Sequence, residues 1–137
     1  MASPPLTNRE YAYFCVTGPG RHEVVTEKLG FRPADAWSAG DINPRNGNVR
    51  QSMFWKLESG HDDKEPLDQH IDSLLLILGT KSQALRDLWV GYDLMINCVG
   101  YYPPSGHGAH LNREVVRQAA QLGIAFDFDF YYVEVNG

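Results

Sequence analysis

Residues 125–133 read AFDFDFYYV, and aromatic side chains alternate there with Asp127 and Asp129. Successive side chains of a β-strand point to opposite faces, so this period of two predicts a strand with one aromatic and one polar face. We expect the aromatic face to be buried beneath helices, where its surface stabilises the fold. That face comprises Phe126, Phe128, Phe130 and Tyr132. Because strand geometry alone accounts for the alternation, the two aspartates need no catalytic role.

Four further strands and four helices are predicted along the chain. Alternating or continuous apolar residues predict strands at residues 9–17, near Trp37, at 52–58 and at 92–102. Apolar residues at helical spacing predict helices at 21–30, 67–79, 82–90 and 113–123. Thr80 and Gln83 have the spacing of a capping box, and Asn112 is expected to cap the last helix.

This order of elements predicts an α+β domain. We expect a single mostly antiparallel sheet of about five strands with helices on one face. A ferredoxin-like core with an added helix and strand describes this arrangement best. The length of 137 residues fits one domain, which we place at residues 9–137. Residues 1–8 contain Pro4 and Pro5 and are expected to form a disordered lead.

The charge and the apolar runs exclude several classes of partner. The net charge of −5 argues against nucleic acid, because nucleic-acid-binding proteins need a basic surface. The longest apolar run, residues 74–78, is far too short to span a membrane, and the N-terminus lacks the pattern of a signal peptide. Cys15 and Cys98 lie in predicted strands and are expected to be buried, reduced thiols. We therefore expect a cytoplasmic protein with no membrane partner.

The sheet face away from the helices is the leading candidate for function. If Phe14, Trp55 and Ile96 point at the helices, this open face combines aromatic with polar side chains, as protein interfaces do. We expect it to bind a second copy of the chain or a protein partner, in a non-catalytic interaction domain. An RNA platform would use aromatic residues similarly, but the acid pair opposes it. The residues of the open face are Tyr11, Tyr13, Phe54, Lys56, Met95, Asn97, Asp127, Asp129 and Tyr131.

A histidine-containing loop at residues 102–110 supports an alternative function. His107 and His110 lie in the sequence SGHGAHLN, where two imidazoles could hold a metal ion with a third ligand from Asp or Glu. The same loop could form a small-ligand or catalytic site, or could simply be solvated and mobile. The His-Glu-x-x-His motif of metalloproteases is absent from the sequence. We expect no cofactor and favour a role other than catalysis.

Two further candidates each have a structural and a chemical interpretation. His70 lies at the edge of a helix's apolar stripe, where it either braces a neighbouring loop or acts as a general acid or base. Asp127 and Asp129 would lie about 6–7 Å apart on one face. Two carboxylates at that spacing could flank a glycosidic bond or hold a metal ion, or they could simply be solvated.

Five short motifs occur in a characteristic order: LGFRP, AGD, FWKLES, HIDSLL and FDFYYV. In this order and spacing, residues 11–133 resemble a bacterial family known as domain of unknown function 4279. The resemblance implies a small single-domain bacterial protein and no established activity. The GHGAH sequence lies outside the family pattern, so a site built on it would be particular to this protein. The positions that match the family pattern are Pro33, Gly40, Trp55, Ser59, His70, Asp129 and Tyr131.

Overall fold

Within residues 8–133, which a computed structural model describes, five strands and four α-helices follow one another in the predicted order. Most of the predicted N-terminal lead, residues 1–7, lies outside the described residues, as do residues 134–137. The strands are β1 (Arg9–Gly18), β2 (Asp35–Trp37), β3 (Met53–Glu58), β4 (Asp93–Tyr102) and β5 (Ala125–Tyr132). The helices are α1 (Glu23–Leu29), α2 (Leu67–Leu78), α3 (Ser82–Leu88) and α4 (Arg113–Leu122), and a 3-10 turn (Gly79–Lys81) joins α2 to α3.

The described strands form one sheet in the order β2-β3-β1-β4-β5. β1 is antiparallel to both β3 and β4, and β2 is antiparallel to β3. β5 runs parallel to β4, and α4 makes the crossover between them. The order β2-β3-β1-β4 is that of a ferredoxin-like core, which β5 extends at one edge. The predicted α+β class, with a mostly antiparallel sheet, is confirmed.

The core lies between the helices and one face of the sheet. Phe14, Trp55 and Ile96 are fully buried there, as their alternation with polar neighbours predicted. The rings of Phe14 and Trp55 meet edge to face with their centroids 6.1 Å apart. The Trp55 indole N–H donates to Thr26 Oγ1 at 3.0 Å, which ties α1 to the sheet.

The aromatic face of β5 is less covered than the sequence predicted. Phe128 is 41% exposed and Tyr132 is 54% exposed. β5 lies at the edge of the sheet, and α4 packs against α2 and α3, so part of this face has no helix above it. Phe126 and Phe130 still pack partly against the core. The prediction that the whole row is buried is therefore wrong.

One of the two predicted helix caps is confirmed. Asn112 Oδ1 accepts a hydrogen bond from the Val115 N–H at 2.9 Å and caps α4. The Thr80 hydroxyl instead donates to the Ile77 carbonyl at 2.7 Å, so it closes the end of α2. The capping box predicted for Thr80 and Gln83 is therefore wrong, because the 3-10 turn takes Thr80 away from the start of α3.

Cys15 and Cys98 are both buried and form no disulfide, as predicted. Burial raises the pKa of both thiols, and that of Cys98 reaches about 12. Strand alternation places Cys15 on the open face and Cys98 among the helix-side core. No helix within the described part of the chain is both long and apolar enough to cross a membrane.

Candidate functional site

The register of the strands brings the nine residues of the open face together on one surface. Tyr13 pairs with Glu58 of β3 and with Asn97 of β4, and Asn97 pairs with Asp127 of β5. Paired residues point to the same side of a sheet, so these four side chains form one row across it. The adjoining rows contain Lys56, Cys15 and Met95 on one side and Tyr11, Val99 and Asp129 on the other.

Aromatic contacts order the centre of the open face. The Tyr11 and Tyr13 rings stack with centroids 6.5 Å apart, and those of Tyr101 and Tyr131 stack at 5.1 Å. Lys56 Nζ lies 4.4 Å from the centroid of the Tyr13 ring, a cation–π distance. The open face is therefore a pre-ordered aromatic surface. The sequence interpretation omitted Tyr101, although the same alternation along β4 would have placed it there.

Two phenols of the open face, those of Tyr11 and Tyr13, have raised pKa values. Burial is the main reason why the pKa of Tyr13 is raised, and the charge of Cys15 and other neighbours adds to it. Burial, followed by the neighbouring Tyr101, raises the pKa of Tyr11 in the same way. Two neutral hydroxyls can therefore donate as well as accept hydrogen bonds at neutral pH.

The two aspartates of the alternating segment lie on the outer strand of the open face. Asp127 and Asp129 are both exposed, and neither forms a salt bridge with any residue of the described range. Charged side chains on an edge strand oppose uncontrolled pairing of that edge with another strand. The geometry therefore favours solvated acids over the metal or glycosidic interpretation.

A cleft of about 580 Å³ adjoins the open face at its β2 and β3 end. Its floor is the stacked pair Trp37 and Phe54, whose ring centroids lie 4.6 Å apart. The loop at residues 38–52 forms its wall and is closed by the bridge between Ile42 and Val49. The sequence predicted only a short strand near Trp37 in this region and no cleft, because the cleft depends on how this loop folds over the sheet.

The histidine-containing loop meets a buried carboxylate that the sequence did not reveal. Glu10 accepts hydrogen bonds from the Tyr102 hydroxyl at 2.9 Å and from the Leu67 N–H of α2 at 2.9 Å. His107 Nε2 lies 3.1 Å from the same carboxylate, and its ring stacks on Tyr102 with centroids 4.2 Å apart. A Cβ on Gly100 would clash with the Tyr102 ring, so glycine lets Tyr102 fold back towards Glu10.

The geometry gives the metal hypothesis for His107 and His110 no support. No group of three or more His, Cys, Asp or Glu side chains within residues 8–133 is placed to hold a metal ion. Glu10 engages His107, and Glu10, His107 and His110 all line one cavity of about 300 Å³ beside α2. β1 and β4 are antiparallel, so their following loops, which carry His22 and His110, lie at opposite ends of the sheet.

His70 is fully buried on α2, deeper than the edge position that the sequence indicated. Its Nδ1 lies 2.5 Å from Ser59 Oγ, and the same oxygen accepts the His61 N–H at 3.2 Å. His70 thus holds the turn after β3 against α2, which is the geometry of a bracing residue.

The residues of the family pattern lie in several places. Ser59 and His70 are buried and hydrogen-bonded to each other, and Trp55 lies in the core. Asp129 and Tyr131 lie on the open face, and Pro33 lies between α1 and β2. The pattern therefore describes a fold together with one exposed strand.

The described residues thus form a ferredoxin-like α+β domain with one uncovered sheet face. A family model described as domain of unknown function (DUF4279) matches residues 8–133. The chain belongs to this family, which confirms the resemblance of its sequence motifs. No match was found among curated proteins or among solved structures.

Proposed function

We propose that this protein is a non-catalytic interaction domain that self-associates through its open face. The observation that carries the proposal is the ordered aromatic surface around Tyr13 and Tyr131, which no helix of the described chain covers. Half-exposed tyrosines in a polar setting are typical of the centres of protein interfaces.

The size of the open face suits a dimer interface. Its four longer strands span about 20 Å at the usual spacing of about 4.8 Å, and ten-residue strands such as β1 and β4 are about 30 Å long. The resulting area of about 600 Å² approaches the roughly 800 Å² that each partner contributes to an interface of standard size.

Charged side chains lie on both sides of the open face. Lys56 lies on the β3 side of the open face, and Asp127 lies on the β5 side. A two-fold axis along the strands between β1 and β4 would bring Lys56 and Glu58 of one copy over the β5 strand of the other, so attraction and repulsion oppose each other there. The aromatic contacts therefore carry the proposed association.

The two buried thiols favour a reducing compartment, and we place the protein in the cytoplasm of a bacterium.

The alternative of a metal or ligand site on loop 102–110 has less support. His107 is already engaged by Glu10 and Tyr102.

Light scattering coupled to size exclusion tests the proposal, because the chain has a mass of 15.4 kDa and a dimer has twice that mass. Tyr131 and Tyr132 are neighbours on β5, point to opposite faces and are 50% and 54% exposed. Tyr131→Ala should weaken the dimer about tenfold or more, as loss of an interface hot spot does. Tyr132→Ala is the matched control and should leave the dimer intact. A wild-type monomer at all accessible concentrations would refute the proposal.

A further inference from the structure

The cleft beside the open face has a rigid wall. The Arg50 N–H donates to the Asp41 carbonyl at 2.7 Å, and the Gly40 N–H donates to the Arg50 carbonyl at 2.9 Å. The Ser38 N–H donates to the Asp41 carboxylate at 2.8 Å, and the Ala39 N–H reaches back to the Gly20 carbonyl at 3.0 Å. These bonds fix both ends of the loop, so the cleft is formed before any ligand arrives.

Arg50 is held over the floor of the cleft with an unused donor. Its guanidinium carbon lies 3.8 Å from the centroid of the Trp37 ring, and Trp37 in turn stacks on Phe54. The Arg50 Nε is buried and has no hydrogen-bond partner among the described residues. A buried donor without an acceptor is costly, and a guanidinium is well shaped to receive two oxygens of one anion.

Cationic side chains outnumber acids in the lining of the cleft. Arg45, Arg50 and Lys56 line it, together with Asp35 and Asp41. Each acid is held by a backbone donor: Asp41 accepts the Ser38 N–H, and Asp35 accepts the Ala36 N–H. Arg45 and Arg50 form no salt bridge with the residues that the structure describes. The groups without a partner are therefore mainly cationic donors.

We propose that this cleft binds a small organic anion through a carboxylate or a phosphate. Arg50 holds the anionic group by two parallel hydrogen bonds, and Lys56 or Arg45 adds charge. The aromatic floor and the 67% exposed Ile42 contact the apolar body of the ligand. The volume lies within the usual range of small-molecule sites, about 300–1,000 Å³, which favours a small molecule over a folded partner.

This site goes beyond the proposed self-association, although Tyr13, Phe54 and Lys56 belong to both surfaces. Isothermal titration of the full chain with benzoate, phenyl phosphate and inorganic phosphate tests it. We expect saturable binding of at least one organic anion. Preference for benzoate assigns a carboxylate, and preference for phenyl phosphate assigns a phosphate. Binding of inorganic phosphate as tight as that of phenyl phosphate would show that the aromatic floor contributes nothing and would overturn the assignment of an organic ligand.

Arg50→Met keeps an unbranched stem and removes the guanidinium with its charge, and it should weaken binding about tenfold to a hundredfold. Arg50→Lys keeps the charge but loses the planar guanidinium, so its affinity for the anion should lie between those of the wild type and Arg50→Met. This variant tests the site even if Arg50→Met disturbs the loop. Arg86→Met on α3 is the matched control and should bind as the wild type does.

Failure of this site is distinguishable from failure of the proposed self-association. Tyr131→Ala lies outside the cleft and should bind the anion normally whatever its mass in solution. Absence of binding at millimolar concentrations for all three probes, or binding that Arg50→Met leaves unchanged, would overturn the proposed site.

Discussion

The two faces of the sheet both contain aromatic side chains from alternating strand positions, but these side chains differ in how far they are buried. On the helix side, Phe14, Trp55 and Ile96 have no exposed surface, and each contacts side chains from the helices or other strands. On the open face, Tyr13 and Phe54 are half-buried and Tyr131 is 50% exposed. Aromatic residues at matching strand positions therefore stabilise the monomer on one side and remain available for contacts on the other. Burial by helices, and not residue type, therefore separates the aromatic residues of the core from those that stay accessible on the open face.

The largest expected effect is on the helix side, where Trp55→Ala should cost about 3–5 kcal/mol of unfolding free energy. The substitution removes a fully buried indole, its edge-to-face contact with Phe14 and its hydrogen bond to Thr26. Phe54→Ala, one residue away on the open face, should cost about 1 kcal/mol, because mainly its stacking on Trp37 is lost. Urea denaturation measures both values. Equal losses at the two positions would contradict the claim that helix-side aromatic residues stabilise the monomer more than those of the open face.

The next effect concerns the buried carboxylate of Glu10. Glu10→Gln should cost about 1–3 kcal/mol, because an amide cannot accept from Leu67, Tyr102 and His107 as a carboxylate does. Amides in residues 103–112 should also exchange faster with deuterium, since His107 loses its anchor. Glu114→Gln on α4 is the control, and its change should stay within about 0.5 kcal/mol because Glu114 is exposed. Unchanged exchange in the loop would show that Glu10 does not anchor it.

A further effect should appear at alkaline pH. Burial raises the pKa of Cys98 from the ordinary 9.0 to about 12, so the folded chain keeps this proton after the unfolded chain has lost it. The unfolding free energy should therefore fall as pH rises from about 9 towards 12, with a slope of up to about 1.4 kcal/mol per pH unit for this group. Cys98→Ala should reduce that slope in urea titrations at several pH values. An unchanged slope would assign the alkaline loss to other groups, such as Tyr102, whose pKa burial also raises.

Much of the fold followed from local patterns in the sequence. Strict alternation defined both faces of β1, β3 and β4, because the period of two is a local property of strands. The helix stripe along α2 was equally visible, since Leu67, Ile71, Leu74 and Leu78 recur at helical spacing and are all buried. Strand order was left open by the sequence and comes from long-range pairing.

The features that the sequence missed depend on tertiary contacts. Phe128 has the same pattern as Phe14, yet it is 41% exposed because β5 is an edge strand that α4 only partly covers. Glu10 looked like the polar start of a strand, and only the folding back of Tyr102 over Gly100 reveals its buried role. The cleft depends on a loop without periodicity, so no residue pattern in the sequence predicted that Arg50 would lie in a binding site.

The smallest expected effect on stability is that of Tyr131→Ala, which should change the unfolding free energy of the monomer by less than about 1 kcal/mol. Its contacts within the chain are limited to stacking on Tyr101. The same substitution should strongly weaken self-association. A large loss of monomer stability would instead assign Tyr131 a structural role, and the two faces would then not differ in this respect.

The most direct measurement is hydroxyl-radical footprinting of Tyr131 and Tyr132 over a dilution series. The two side chains have nearly equal exposure in the monomer and lie on opposite faces of β5. If a second copy covers the open face, Tyr131 is protected from oxidation at high protein concentration and becomes reactive on dilution. Tyr132 should be oxidised equally at every concentration. Equal reactivity of both tyrosines at all concentrations would contradict the claim that a second copy covers the open face.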